Sequence, residues 1–390
     1  MIDAMLSDSS LRTPAFVYEE KPILEGLHRL NRLKSDTDCR ILYSVKALSC
    51  PGILEIIAPH VDGFSASSLF EAKLSRKILG KEGSVHMMSP AIVEHEIPEI
   101  AAHVDYVSLN TLSQWRRFRN KDWNDARFGL RVNPGLSYIR DDRYNPCRKN
   151  SKLGISIDVL SKQNDLRDTD LEGISGIHFH TNCESHSLNP LMETVIHVST
   201  KLKNFLSHLE WINLGGGYQY DEIDDLTPLI QAVNHLRNEF RLKIFLEPGE
   251  AIVGNAGSLI TTVLDIFESD GKKIAIVDST VNHMPQVFEY QYQPDILGSN
   301  PKEKFPFLIA GRTCLSGDIF GEYRFSEPLE IGSRLIFLFA GAYSLVKSHM
   351  FNGINLPSLY LLTTTGKLIK LREFSYEDFL IKCGGSYESV

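Results

Sequence analysis

Leu42-Tyr-Ser-Val-Lys-Ala47 is a run of strand-forming residues holding one lysine, and the small residues and proline of Ala47 to Pro51 break the chain after it. An unpaired ammonium is costly to bury, so Lys46 either reaches water or does chemistry. Desolvation and nearby positive charge lower a lysine's pKa and free its amine to condense with an aldehyde. On that reading Lys46 is a Schiff-base lysine. The competing reading is a strand-end lysine that snorkels to solvent, the commoner fate of this residue type.

The same strand plan recurs along the chain. Residues 40–45, 63–65, 85–87, 106–109, 127–132, 173–180, 211–214 and 243–246 read as strands. Helical spacing marks 67–79, 112–119, 190–209 and 226–240 between them. Strands alternating with helices predict an α/β fold, a parallel sheet closed into a (β/α)8 TIM barrel over residues 23–250. In such barrels the working residues sit where strands end and loops begin. Lys46, His180, Gly215, Gly216, Gly217 and Glu247 all fall at such ends. After residue 251 helical periodicity is scarce, and 258–269, 273–277, 307–310, 334–338 and 358–362 read as strands between Gly, Pro and Asp turns. Residues 1–22 and 251–390 are therefore expected to form a second, mostly β domain, with 13–19 supplying one of its strands.

Composition narrows the function. The 390 residues are 43% hydrophobic and 23% charged, ordinary globular values. A formal net charge of −8 argues against nucleic-acid or anionic-membrane partners and suits a cationic substrate. No apolar run approaches the roughly 20 residues that span a bilayer. The first residues lack the basic start and apolar centre of a signal peptide. Six cysteines, at 39, 50, 147, 183, 314 and 383, show no CxxC spacing. A disulfide framework is not expected at this size, and a cytoplasmic, reducing compartment is.

Several segments carry chemistry. Gly215-Gly-Gly-Tyr218 follows an apolar run, and bare glycines let backbone N–H groups approach an anion. A tight βα turn would demand the same glycines. Neither a P-loop nor a strand-linked GxGxxG is present, which disfavours nucleotide binding. Glu247-Pro-Gly-Glu250 ends another strand, and a carboxylate there could keep a pyridine nitrogen protonated. In His178-Phe-His-Thr-Asn-Cys-Glu-Ser-His186, period two sends His178 and His180 to one face. A metal site from His178, His180, Glu184 or His186 matches no known ligand spacing, and no metal is expected. Gly311-Arg-Thr-Cys-Leu-Ser-Gly-Asp318 offers Cys314 as a reactive, proton-donating thiol or as an inert buried one. Ala340-Gly-Ala-Tyr343 presents a phenol beside two small residues.

Together and in this order, these segments resemble the fold-III pyridoxal-phosphate decarboxylases, whose barrel is alanine racemase-like. The likeness runs from Lys46 to Tyr343. Within the group it is greatest to the branch that acts on carboxynorspermidine and carboxyspermidine, through the 178–184, 247–250, 277–285, 311–322 and 339–344 stretches. The resemblance implies pyridoxal 5'-phosphate bound covalently by Lys46. His180 would stack on its ring, Glu247 would pair with its pyridine nitrogen, and Gly215, Gly216, Gly217 and Tyr343 would hold its phosphate. Cys314 would come from the partner subunit of a homodimer to protonate the substrate carbon.

Departures from the ornithine-type pattern bear on substrate. Glu250 stands where those enzymes have a phosphate-binding arginine, and His180-Thr-Asn-Cys183 replaces His-Val-Gly-Ser. Leu315 replaces an acid that reads the distal amine of short substrates. A small cationic carboxylated polyamine is the expected substrate, decarboxylated to norspermidine or spermidine in polyamine biosynthesis. Asp318, Glu184, Glu250, Glu322 and Asp278 are the candidates for its ammonium groups, Asp318 foremost because it follows Cys314 by four residues. The alternatives are a diaminopimelate or other basic amino-acid decarboxylase on the same scaffold, and a non-catalytic regulator that retains its shape.

Overall fold

Parallel strands with both faces covered need apolar residues throughout, and the barrel strands supply them. A computed structural model describes residues 11–162, 170–220 and 222–386. Its barrel strands are Arg40–Ser44, Gly63–Ala66, Ser84–Ser89, Tyr106–Leu109, Arg127–Asn133, Ile174–His178, Trp211–Asn213 and Lys243–Leu246. Each pairs in parallel with the next, and Phe245 of the last lies beside Arg40 of the first. The sheet therefore closes into the expected (β/α)8 barrel. Helices start where the sequence supplies caps. Ser68 accepts from the Glu71 amide, and the Glu71 carboxylate accepts from the Ser67 amide, which begins Leu69–Leu79. Thr111 likewise caps Leu112–Phe118. The single helix expected over 190–209 is two, Asn189–Lys201 and Lys203–Leu206, broken at Leu202.

The barrel interior is filled rather than hollow. Leu42, Tyr106, Trp211 and Phe245 form one buried cluster, and His86 stacks on Tyr106 with ring centroids 4.0 Å apart. Room for the Trp211 indole comes from Gly176, where any Cβ would run into it. Leu24–Ile252 makes one compact unit around this barrel, and the described parts of Met1–Ile23 and Val253–Val390 make the other.

The second unit is mostly β, as expected. Its sheet runs Ile319–Phe325, Phe305–Ala310, Lys272–Val277, Gly257–Ser269, Ala15–Glu19, Ser358–Leu362 and Leu368–Arg372, with Arg334–Phe337 also paired to Gly257–Ser269. Leu11, Ala15, Val17, Ile260, Ile336, Tyr360 and Leu362 are its core. Two strands escape the sequence reading. In Ile319–Phe325 the buried residues are Phe320, Tyr323 and Phe325, because a register shift opposite Ile309 and Ala310 breaks the period of two. Leu368–Arg372 pairs on one side only and is half-exposed, so its pattern is weak.

Candidate active site

The Lys46 turn is pinned on three sides. The Ser44 amide donates to the Pro248 carbonyl at 2.9 Å, the Val45 amide to the Ser65 carbonyl at 3.0 Å, and the Tyr43 hydroxyl to the Leu48 carbonyl at 3.1 Å. Gly249 is glycine because a Cβ there would sit 3.0 Å from the Cβ atoms of both Ser44 and Ala47. The Glu-Pro-Gly turn thus packs directly on the lysine turn. Lys46 itself is exposed at the barrel mouth rather than desolvated. Its positive charge reaches inward to Glu247, His178 and His180.

Glu247 is the electrostatic centre. Its side chain is 9% exposed, Oε1 accepts from Asn213 Nδ2 at 2.8 Å, and Oε2 lies 3.6 Å from His178 Nε2. Burial pushes this carboxyl up, but His178, Lys46 and Ser65 outweigh burial and hold it well below the usual carboxylate range. Burial pushes the His178 imidazole down, against the pull of the Glu247 charge. Among the described residues neither ring nitrogen of His178 has a hydrogen-bond partner, and 3.6 Å to Glu247 is too long for one.

His180 and the glycine turn are joined. The Gly216 amide donates to His180 Nδ1 at 3.1 Å, so that nitrogen is an acceptor and the ring is neutral. Burial first, then the Lys46 and Arg131 charges, keep its pKa well below the ordinary value. The Gly215 amide donates to Asn213 Oδ1 at 2.9 Å, and the Gly215 carbonyl accepts from the Glu247 amide at 2.8 Å. A Cβ on Gly216 would run into the Glu247 carbonyl, and one on Gly217 into the Asn182 carbonyl. Among the described residues, the Gly217 amide is the one of the three not already committed to a neighbour.

Two residues at this mouth were not singled out from sequence. Asn213 ties Glu247 to the glycine turn while only 2% exposed. Arg131 is 4% exposed, donates to Met88 Sδ at 3.1 Å, and is lowered to about 10 by burial against the pull of Glu247. Both carry the signal that marked Lys46, a polar residue beside buried apolar ones: Leu130 and Val132 flank Arg131, and Trp211 and Ile212 precede Asn213.

The other candidates divide. Cys314 is exposed on its loop in the β unit, and its amide donates to Asn352 Oδ1 at 2.8 Å. Tyr343 adopts φ 57° in a turn whose Gly341 amide donates to the Gly254 carbonyl. Asp318 and Asp278, expected as substrate ligands, each have their carboxylate oxygens engaged. Asp318 is 3% exposed with both oxygens hydrogen-bonded within its own unit. Asp278 likewise accepts from the Thr261 and Thr13 hydroxyls and the Thr262 amide. Glu322 lies on a strand and pairs with Lys272 at the surface. Glu184 is exposed on the loop after His180, and Glu250 is half-buried at the start of the short helix Glu250–Val253. His186 pairs with Glu222 at 2.9 Å, apart from His178 and His180. Among the described residues no group of His, Cys, Asp and Glu could hold a metal ion.

A flat phosphorylated pyridine aldehyde fits what the barrel mouth offers. An exposed primary amine, a buried ionised carboxylate, a His178 imidazole with no hydrogen-bond partner among the described residues and a turn with no room for Cβ atoms meet there. The family model described as pyridoxal-dependent decarboxylase, pyridoxal binding domain, matches residues 25–254. The chain is 34% identical to a carboxynorspermidine/carboxyspermidine decarboxylase of Campylobacter jejuni over 388 residues, 95% of this chain and 98% of that one. It is 32% identical to a carboxyaminopropylagmatine decarboxylase of Synechocystis sp., covering 96% of each chain. It also matches the crystal structure of carboxynorspermidine decarboxylase complexed with norspermidine from Campylobacter jejuni. That match has a TM-score of 0.86 at 30% identity and covers 95% of this chain and 100% of the other.

Proposed function

This chain belongs to the pyridoxal-dependent decarboxylase family, and from that premise we propose that it decarboxylates carboxynorspermidine and carboxyspermidine to norspermidine and spermidine. It is a carboxy-lyase that depends on pyridoxal 5'-phosphate. The observation that carries the substrate is the likeness to a carboxynorspermidine/carboxyspermidine decarboxylase, which extends over 95% of the chain.

When bound, the cofactor supplies an aldehyde for the substrate's amine and a ring that takes up the electron pair left by departing CO2. The chain's residues do the rest. Lys46 holds the cofactor through its amine. Glu247, kept ionised, retains the proton on the pyridine nitrogen, and Asn213 holds Glu247 in place. His180 gives a neutral flat face, and Gly217 and Tyr343, with Gly215 and Gly216 setting the turn, take the phosphate. Cys314 delivers the proton to the carbon that loses CO2. In a cytoplasmic homodimer it does so at the partner chain's barrel.

Glu184, exposed on the loop after His180, and Glu250, at the start of the helix that follows the Glu-Pro-Gly turn, are the carboxylates of the barrel unit that we assign to the substrate's ammonium groups. Glu250 cannot clamp a phosphate, and its negative charge favours a polycation. A second reading is carboxyaminopropylagmatine, because the relative of that name is nearly as similar. Amine formation by the holoenzyme from carboxynorspermidine, carboxyspermidine, carboxyaminopropylagmatine and diaminopimelate decides among them. The first two should have the highest kcat/KM, and faster turnover of either of the others overturns the assignment.

A further inference from the structure

The loop that carries Cys314 is built around one buried carboxylate. Asp318 Oδ1 accepts from the Thr280 hydroxyl at 3.0 Å and the Val281 amide at 2.8 Å. Its Oδ2 accepts from the Thr313 amide at 2.9 Å and the Thr313 hydroxyl at 2.5 Å. The Asp318 backbone closes the same loop, its amide donating to the Leu315 carbonyl and its carbonyl accepting from the Gly311 amide. Gly311 is glycine because a Cβ there would run into the carboxylate.

Four donors on one carboxylate leave it little capacity for a substrate ammonium. Hydrogen bonds to an ionised acceptor are also stronger and shorter than neutral ones, so they fix geometry well. Half of them come from Thr313, the residue immediately before Cys314. The other half anchor the carboxylate to Thr280 and Val281, in the stretch Val277-Asp-Ser-Thr-Val that the catalytic reading leaves unused. The Ser279 carbonyl accepts from the Arg312 amide at 3.2 Å, a second tie between the same two segments. The thiol is thus carried on a loop that Asp318 braces through Thr313, with the Cys314 amide also donating to Asn352, while its own side chain stays exposed.

We propose that Asp318 is a positioning residue, which through Thr313 sets where the Cys314 thiol is held and so which carbon receives its proton. The inference rests on the reading of Cys314 as the proton donor. After CO2 leaves, a proton on the substrate carbon gives the amine product. Were the proton delivered to the cofactor instead, the substrate's nitrogen would stay with the cofactor. Water then supplies the oxygen of an aldehyde released from the substrate. A donor displaced by even about 1 Å loses much of its advantage at the right carbon.

The test compares holoenzymes bearing Thr313→Val, Thr313→Ser, Asp318→Asn and Cys314→Ser. The ratio of aldehyde to amine product is measured by mass spectrometry, with KM, cofactor content and Tm beside it. Thr313→Val and Asp318→Asn should raise the ratio about tenfold with KM and cofactor content unchanged, one charge-assisted hydrogen bond being lost. Thr313→Ser, which keeps the hydroxyl, should restore the parent ratio. A brace that is only structural would lower Tm in Thr313→Val and leave the ratio alone. That outcome, with the ratio raised in Cys314→Ser, overturns the proposal even if Asp318→Asn does not fold. A ratio unchanged in Cys314→Ser also overturns it, and locates the error in the role of Cys314.

Discussion

Glu247 shows how much one residue's surroundings decide. A glutamate after an apolar strand is ordinary, but this one accepts from Asn213 and is held ionised by neighbouring positive charge. Glu247→Gln keeps the shape and removes the charge, and kcat should fall about a hundredfold, on the order of 3 kcal/mol of transition-state stabilisation. Unchanged kcat in steady-state assays would show that the ring nitrogen needs no carboxylate. Lys46, His180, Glu247 and the glycines were legible because polar or bare residues at strand ends have few other reasons to be there. Arg131 and Asn213 carry the same signal in weaker form, without a glycine or proline turn directly after them. For Asp318 and Asp278 the sequence shows a carboxylate but not the donors that surround it. Their burial arises from threonines at positions 313, 280, 261 and 13, which only the fold brings near.

Strands and helices were the most legible scale. The barrel strands sit within a few residues of their expected places because apolar runs, capping residues and glycine turns agree with one another. What failed was local: a bulge hides the alternation of Ile319–Phe325. The barrel's filling was not legible either, since nothing in sequence says that Gly176 faces Trp211. Gly176→Val should destabilise the barrel by about 1–3 kcal/mol through overpacking. A denaturation midpoint matching the parent's would mean that the indole has somewhere else to go.

Over the whole molecule, acid sensitivity follows from histidines buried as neutral rings. Burial holds His86 at about 3 in the barrel unit, and holds His283 at about 3 in the β unit. The unfolded chain takes up these protons below about 6.5 while the native chain refuses them. Their stability contribution is therefore complete above that pH and is lost as pH falls toward 3, at up to about 1.4 kcal/mol per pH unit for each. Tm should decline steadily below about 6.5, and a flat Tm down to pH 5 would contradict the buried, neutral assignment. Assembly has its own test. If Cys314 serves the partner's barrel, mixing Lys46→Ala chains, which form no product, with Cys314→Ser chains, impaired in amine formation, should restore amine formation to about a quarter of the parent's by random pairing in a two-fold dimer. No recovery would place both residues in one chain's site. The most direct measurement is borohydride reduction of the holoenzyme followed by peptide mass spectrometry. The account predicts the cofactor's mass on the peptide containing Lys46 and on no other. Label on a different lysine, or full turnover by Lys46→Ala, would contradict it.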